Sequence, residues 1–235
     1  MTSSSPSPVD GYDPADYPPF AVTADVVVLT VHDRDLLVLA HKRDSEPHAG
    51  QIALPGTFLR PMENATEAAT RAVQAKAGLD LSPGHLEQLA TYSDHDRDPR
   101  MRVVSVAHLV LLPDSGDPPT GEWVAPDVDG WAFDHARIVA DAVARAAAKL
   151  EYTSLAAALA GPTYTLGELQ RVYEAVWDEP IDHGNFRRKV LKADGFVEKV
   201  DGQKRATNRD GSGPKAQVYR AGLAATLHPP IARQS

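Results

Sequence analysis

The chain has 235 residues, a net charge of −8, 43% hydrophobic residues and 24% charged residues, which are ordinary values for a globular protein. It contains no cysteine, which excludes a disulfide framework, a thiolate metal site and a cysteine nucleophile. Its apolar runs fall well short of the about 20 residues that a membrane-spanning helix needs, and no secretory signal is visible. We therefore expect a cytoplasmic protein, with no membrane partner, of one large domain or two small ones.

The charge is unevenly distributed. Residues 1–149 carry 12 basic and 22 acidic side chains, a net charge of −10, whereas residues 150–235 carry 12 and 10, a net charge of +2. Within the second part, residues 183–220 carry 10 basic and 4 acidic side chains. A basic cluster on an acidic chain predicts a nucleic-acid-binding module, with a solvated basic surface as the alternative.

The first part of the chain predicts a mixed sheet with helices. A tail rich in Ser, Pro and Asp, residues 1–20, is expected to be flexible. Asn64 or Thr66 can cap a helix that ends at Ala77, before Gly78. The other predicted elements are strands at 24–30, 35–41, 51–54, 87–92 and 101–112, a mixed region at 123–133, and a long helix at 134–150.

The second part has a helical pattern followed by a hairpin. We predict a short helix at 155–160, a helix capped by Thr165 and closed by Pro180, and a third helix at 183–193. Strands at 196–200 and 216–220 flank a polar, glycine-rich stretch. Three helices followed by a two-stranded hairpin are the element order of a winged helix-turn-helix.

The third helix separates core and basic residues. At about 100° per residue, Phe186, Val190 and Ala193 share one side and would face the core. Arg, Lys and Asn on the other side can contact bases or phosphates. The predicted DNA-binding residues of helix and wing are Asn185, Arg187, Arg188, Lys189, Lys192, Lys204, Arg205, Arg209 and Lys215. The alternative is an ordinary three-helix domain with a solvated loop.

Residues 50–81 contain a recognisable frame, in which Gly56 is followed by Glu63 and, after seven residues, by Arg71. Val73, Gly78 and Leu79 continue it. This frame resembles the Nudix hydrolase signature, with one extra residue before Glu63. The resemblance implies a fold that binds a pyrophosphate linkage and, in the enzymes, holds magnesium with carboxylates on the helix.

The three acidic positions of that signature are occupied by Ala72, Ala75 and Lys76. Magnesium requires oxygen ligands, which alanine lacks, and a lysine repels a cation. We therefore expect no catalytic residue, no bound metal and no required cofactor. The predicted ligand-binding residues are Arg43, Gly56, Phe58, Arg60, Glu63, Arg71, Lys76 and Arg102. For Arg71, a structural role as the partner of Glu63 or of a carbonyl remains the alternative.

A Nudix-like domain joined to a winged helix resembles the NrtR family, the Nudix-related transcriptional regulators of NAD metabolism. The segments that carry the resemblance are LPGTFLRP, YSDHDRDPRMRVVSVAHLVLLP and the carboxy-terminal YTLGELQRVYEAVWDEPIDHGNFRRKVL. The resemblance implies an α+β architecture, with a Nudix-like α/β/α sandwich at 21–150 and a winged helix-turn-helix at 151–235. It also implies a homodimeric repressor of NAD biosynthesis or salvage genes, bound to a palindromic operator on double-stranded DNA. ADP-ribose or a related nucleotide would be its effector.

Two other functions stay open on the sequence. One is an active Nudix pyrophosphatase for ADP-ribose-like substrates, in which Glu63 and Glu67 replace the missing carboxylates and the helical domain is accessory. The other is a protein-interaction module whose basic helix binds an acidic partner. The long helix at 134–150 would connect the ligand site to the DNA-binding end, or would be a simple spacer.

Overall fold

The computed structural model describes residues 13–82, 84–207 and 212–233. Residues 1–12 of the predicted tail lie outside this part, and the remainder of the tail includes a single 3₁₀ turn, Pro14–Asp16. No helix within the described ranges is both long and apolar enough to cross a membrane.

A seven-stranded mixed sheet forms the first half of the molecule. Its main path runs β3-β2-β1-β6-β5, while β4 pairs with β1 and β7 pairs with β2. Because β1 is parallel to β6 and antiparallel to β2, the predicted mixed sheet is confirmed. The strands are β1 (Ala21–His32), β2 (Asp35–Lys42), β3 (Ile52–Ala53), β4 (Gly56–Phe58), β5 (His85–Tyr92), β6 (Val103–Leu111) and β7 (Glu122–Val124).

Two helices cover the faces of this sheet, α1 (Ala65–Ala77) and α2 (His135–Tyr152). Successive β1 side chains point to opposite faces, so that Val26 and Val28 pack with α1 while Val27 and Leu29 pack in the core that contains α2. This is the expected α/β/α sandwich.

The ends of α1 are those that the sequence predicts. The Asn64 side chain accepts a hydrogen bond from the Glu67 amide, and the Glu67 carboxylate accepts one from the Asn64 amide, which forms a capping box. Gly78 ends the helix with φ 67°, a left-handed conformation in which a side chain would be strained.

The second half is a winged helix. It consists of α3 (Ala156–Ala160), β8 (Tyr164–Thr165), α4 (Leu166–Trp177), α5 (His183–Lys192), β9 (Val197–Ala206) and β10 (Lys215–Ala221). The strands pair in the order β8-β10-β9, and β8 was not predicted because two residues show no periodicity. Thr165 caps α4 through a capping box, as expected.

Two predicted boundaries in this half are wrong. The strand expected at 196–200 continues to Ala206, because Lys204 and Arg205 pair with Gln217 and Ala216 although their side chains are exposed. Helix α4 ends at Trp177 rather than at Pro180, because Asp178 adopts a left-handed conformation with φ 53° and caps it.

The two halves share one hydrophobic core. Side chains of α4 reach the last turns of α2: the Tyr173 hydroxyl donates to the Leu150 carbonyl (3.1 Å), and the Trp177 indole N–H donates to the Ala147 carbonyl (3.1 Å). The carboxy-terminal segment joins them, because the Leu227 amide donates to the Tyr152 carbonyl (2.8 Å). The winged helix is therefore packed directly on the carboxyl end of α2.

Candidate functional site

A pocket of about 290 Å³ lies beside the carboxyl end of β2, β4 and the first turn of α2. Its lining carries four basic side chains other than histidine and two acidic ones, Asp25 and Asp98, of which Asp98 is paired with Arg100 at 2.7 Å. The pKa of His41 on its wall is lowered by burial, and the charges of Lys76 and Arg43 lower it further. The basic residues other than histidine that line the pocket are Arg43, Lys76, Arg97 and Arg100.

Two aromatic rings and two guanidinium groups form one wall of the pocket. The Arg43 guanidinium carbon lies 4.8 Å from the centre of the Phe133 ring. The Arg100 guanidinium carbon lies 5.8 Å from the Phe58 ring and 5.9 Å from the Phe133 ring. Planar cations over aromatic rings are attracted by the ring quadrupole. The rings and the guanidinium groups both offer flat surfaces on which a planar base can stack.

A buried ionic network joins this pocket to the start of α2. The Arg97 side chain is 5% exposed and donates two hydrogen bonds to Asp134, at 2.8 and 3.0 Å. It also lies 3.4 Å from the Asp25 carboxylate, which accepts a hydrogen bond from the Ser105 hydroxyl (2.5 Å). Asp134 directly precedes α2. Arg97 therefore links the pocket to the residue that precedes α2.

The first residue of α2, His135, also lines the pocket. Its Nδ1 accepts a hydrogen bond from the Leu54 amide (3.0 Å), so its proton is on Nε2, which faces Asp25 at 4.0 Å. Burial lowers the pKa of His135, against the opposing effect of Asp25. The ring is a neutral, fixed part of the pocket wall.

Glu63 and Arg71 of the Nudix-like frame form a structural pair. The Arg71 guanidinium donates to both Glu63 carboxylate oxygens at 2.6 Å, and also to the Thr57 hydroxyl and the Phe58 carbonyl, each at 3.0 Å. The hydrogen bond from Arg71 lowers the pKa of Glu63 to about 2. These contacts tie the loop after β4 to α1, and they favour the structural alternative for Arg71.

The residues present do not fit magnesium. Ala72 is buried and Ala75 is exposed, and neither carries an oxygen ligand, while Lys76 brings an ammonium group to the pocket. Glu63 is bound by Arg71, and Glu67 closes the helix cap. Within residues 13–82, 84–207 and 212–233, no three His, Asp or Glu side chains are grouped so that they could hold a metal ion.

The pocket brings together half of the predicted ligand-binding residues, namely Arg43, Gly56, Phe58 and Lys76. Glu63 and Arg71 do not line it, and neither does Arg60. Arg102 is also outside the lining, and its guanidinium carbon lies 5.3 Å from the centre of the Phe20 ring. The pocket residues that the sequence interpretation missed include Asp25, His41, Arg97, Arg100, Phe133 and His135.

A second site is the basic surface of α5 and the β9-β10 hairpin. Phe186, Val190 and Ala193 are buried, as the helical wheel predicts. The side chains of Arg187, Arg188, Lys192, Lys204 and Lys215 are exposed. The surface is therefore a helix with its apolar side in the core and its cations in solvent, flanked by a basic wing.

The remaining predicted DNA-binding residues have partners within the protein or were not described. Arg205 donates to the Thr163 hydroxyl (2.9 Å) and to Glu168 (3.0 Å). The Lys189 ammonium donates to the Ala232 carbonyl (3.0 Å). Asn185 accepts a hydrogen bond from Arg188 (2.7 Å), and Arg209 lies outside the described residues.

Comparisons with known proteins agree with this arrangement. The NUDIX domain model matches residues 19–151, and the model of the NrtR DNA-binding winged helix domain matches residues 156–221. An "ADPR responsive transcriptional repressor NtrR" from Acinetobacter baylyi is 34% identical over 224 residues, which cover 90% of this chain and 86% of the relative. The chain belongs to the NrtR family.

Solved structures of the NrtR family extend the comparison. Shewanella oneidensis NrtR, in a crystal structure with a 27mer DNA, is 29% identical with a TM-score of 0.71, covering 85% of this chain and 93% of that one. The NUDIX domain of the same Shewanella protein in complex with ADP ribose is 28% identical with a TM-score of 0.51, covering 58% of this chain and 95% of that one. The predicted NrtR-like fold, a Nudix domain followed by a winged helix, is thus confirmed.

Proposed function

We propose that this member of the NrtR family is a DNA-binding transcriptional repressor of NAD biosynthesis or salvage genes. Its winged helix binds double-stranded DNA, and its Nudix domain senses ADP-ribose or a related nucleotide without hydrolysing it. The resemblance to a repressor that responds to ADP-ribose supports this function. A repressor of chromosomal genes acts in the cytoplasm, where we place the chain.

The chemistry of the pocket suits a nucleoside diphosphate. Lys76 and Arg43 supply positive charge for the pyrophosphate, while the charge of Arg100 is balanced by Asp98 at 2.7 Å. Phe58 and Phe133 supply surfaces for a base. The absence of carboxylates at 72, 75 and 76 removes the ligands that a metal-assisted attack of water on the phosphate would need. The pocket is therefore arranged for binding rather than for turnover.

The observation that carries the proposal is the position of α2 between the two sites. The pocket includes His135 at the start of this 18-residue helix, and Tyr173 of the winged helix binds Leu150 near its end. A helix of this length spans about 27 Å. A ligand that shifts the first turn of α2 can change the orientation of the winged helix, and a coupling of about 1–3 kcal/mol changes DNA affinity about 5–150-fold.

A homodimer on a palindromic operator follows from the same proposal. Two winged helices related by a two-fold axis would place their recognition helices in successive major grooves, about 34–36 Å apart.

A gel shift on the chain's own upstream region and on NAD-biosynthesis promoters tests the function. We expect a shifted complex that ADP-ribose dissociates, with NAD and ATP as comparisons, and a protein that binds none of these duplexes contradicts the proposal.

The pocket predicts nucleotide binding that is independent of magnesium. We expect ADP-ribose to bind equally in EDTA and in magnesium, without release of AMP and ribose 5-phosphate. Lys76→Gln is expected to weaken binding about tenfold, because a charge-assisted hydrogen bond contributes about 1.5 kcal/mol. Isothermal titration calorimetry measures the affinity for ADP-ribose in EDTA and in magnesium, and the affinity of Lys76→Gln. Lys199→Gln in the hairpin is the control. Rapid magnesium-dependent hydrolysis would support the pyrophosphatase instead.

Arg188 and Lys204 are expected to contribute differently to DNA binding. Arg188→Ala should cost about 1–3 kcal/mol on the cognate duplex if the guanidinium contacts a base edge, and less on unrelated DNA. Lys204→Ala should weaken binding to every duplex and reduce the salt dependence by about one released counterion, because lysine neutralises a phosphate. Fluorescence anisotropy across a salt series measures both slopes.

The matched control for this pair is Arg34→Ala, which removes an exposed arginine from the hairpin between β1 and β2 of the Nudix domain. It changes the net charge by the same amount without touching the basic surface. If Arg34→Ala weakens DNA binding as much as Lys204→Ala does, the effect comes from overall charge, and the proposed docking surface is wrong.

A further inference from the structure

The turn between α4 and α5 contains a hydrogen-bond network centred on Gln170. Gln170 lies on α4 and is 9% exposed. Its amide nitrogen donates to the Glu174 carboxylate (2.8 Å) and to the Ile181 carbonyl (2.9 Å). Its amide oxygen lies 2.7 Å from Nδ1 of His183, the first residue of α5.

This network determines the tautomer of His183. A carboxylate and a backbone carbonyl can only accept, so the Gln170 amide nitrogen must face them and its oxygen must face His183. An amide oxygen cannot donate, and the proton of the imidazole is therefore on Nδ1. In the neutral ring, Nε2 is then a hydrogen-bond acceptor, and it has no partner among the described residues.

His183 also occupies a suitable position for contact with DNA. The residue is exposed at the amino end of α5, the part of a recognition helix that contacts base edges. The preceding Asp182 caps the helix by accepting a hydrogen bond from the Asn185 amide (2.7 Å). The ring is thus held by Gln170 on a helix start that is itself capped.

An acceptor at this end complements the other side chains of α5. Its arginines and lysines only donate, and one of the two lone pairs of the Asn185 side-chain oxygen is taken by Arg188. In the major groove, donors are the exocyclic amino groups of adenine and cytosine. Resting on the proposed DNA-binding function, we propose that His183, held by Gln170, accepts a hydrogen bond through Nε2 from such an amino group and thereby selects a base.

The test starts with the wild-type chain selecting its preferred sites from duplexes with a randomised core. Each adenine and cytosine of the selected half-site is then replaced by an analogue that lacks the amino group, and binding to each duplex is measured. We expect one replacement to weaken wild-type binding about fivefold, as for one ordinary hydrogen bond. Whether that position is adenine or cytosine identifies the base.

The same replacement is expected to have no effect on His183→Ala, and little effect on Gln170→Leu, in which the ring is present but not held. Leu191→Ala, the control on the same helix at an exposed residue with no proposed DNA contact, should retain the fivefold effect. Urea unfolding of each variant separates loss of the contact from loss of the fold, and the ratio of affinities for the two duplexes does not depend on the folded fraction.

Three results would overturn the inference. His183→Ala and wild type could respond equally to every analogue. His183→Ala could instead lose affinity uniformly for all duplexes with a reduced salt slope, which indicates a phosphate contact. Gln170→Leu could retain full discrimination, which would remove the positioning role. A wild-type chain that selects no duplex at all contradicts the proposed function itself, so the two failures are distinguishable.

Discussion

Arg97→Met is expected to lower the free energy of unfolding by about 3–5 kcal/mol. The guanidinium is almost completely buried between Asp25 and Asp134, and its removal leaves two largely buried carboxylates without their counter-charge. Methionine fills a similar volume, so the loss reflects charge more than packing. Urea denaturation measures the change. A variant as stable as the wild type would show that Arg97 does not neutralise this pair.

The same variant should lose its response to the effector. Arg97 lines the pocket and binds Asp134 at the start of α2, so its loss separates the ligand from the helix that carries the winged helix. We expect the folded fraction of Arg97→Met to bind DNA in a gel shift and to stay bound when ADP-ribose is added. Arg137→Met is the control, because the Arg137–Asp94 pair is about 60% exposed and contributes less than about 1 kcal/mol.

Phe186→Ala is expected to cost about 3–5 kcal/mol of stability and to abolish DNA binding. The side chain is 1% exposed, and its ring centre lies 5.3 Å from that of Tyr173, which in turn binds α2. Its loss removes a buried aromatic contact that holds α5 against α4. Thermal unfolding and fluorescence anisotropy with a duplex measure the two effects.

Leu191→Ala is the matched control on the same helix, since Leu191 is a large aliphatic residue that is 48% exposed. Its effect on unfolding should stay within about 0.5 kcal/mol. If the two variants are equally stable, Phe186 does not anchor the helix, and the predicted separation of core and basic residues fails with it.

The sequence predicted helix ends and buried faces correctly where the interactions that determine them lie within one short segment. Asn64 and Glu67 close the start of α1 within four residues, and Thr165 does the same for α4. The apolar spacing on α5 correctly separates buried Phe186 from exposed Arg188. In each case the determining interactions are between near neighbours, which periodicity and capping rules describe.

The pocket was only half predictable, because its members come from distant parts of the chain. Arg43 follows β2, Lys76 belongs to the last turn of α1, and Phe133 precedes α2. The Nudix-like frame pointed to residues around α1, two of which, Glu63 and Arg71, neutralise each other away from the pocket. The charged segment SDHDRDPR contained the missing signal, because Arg97 and Arg100 both come from it.

The amino-acid sequence by itself determined the order of the helices and of the longer strands, the loss of the metal-binding carboxylates at Ala72, Ala75 and Lys76, and the two-sided character of α5. These properties depend on residue identity and on spacing within one element. Tertiary structure alone decided which cations meet in one pocket, and that α2 connects this pocket to the winged helix. The physical reason is that such contacts join residues far apart in the chain, and their geometry is set by the packing of whole elements on a shared core.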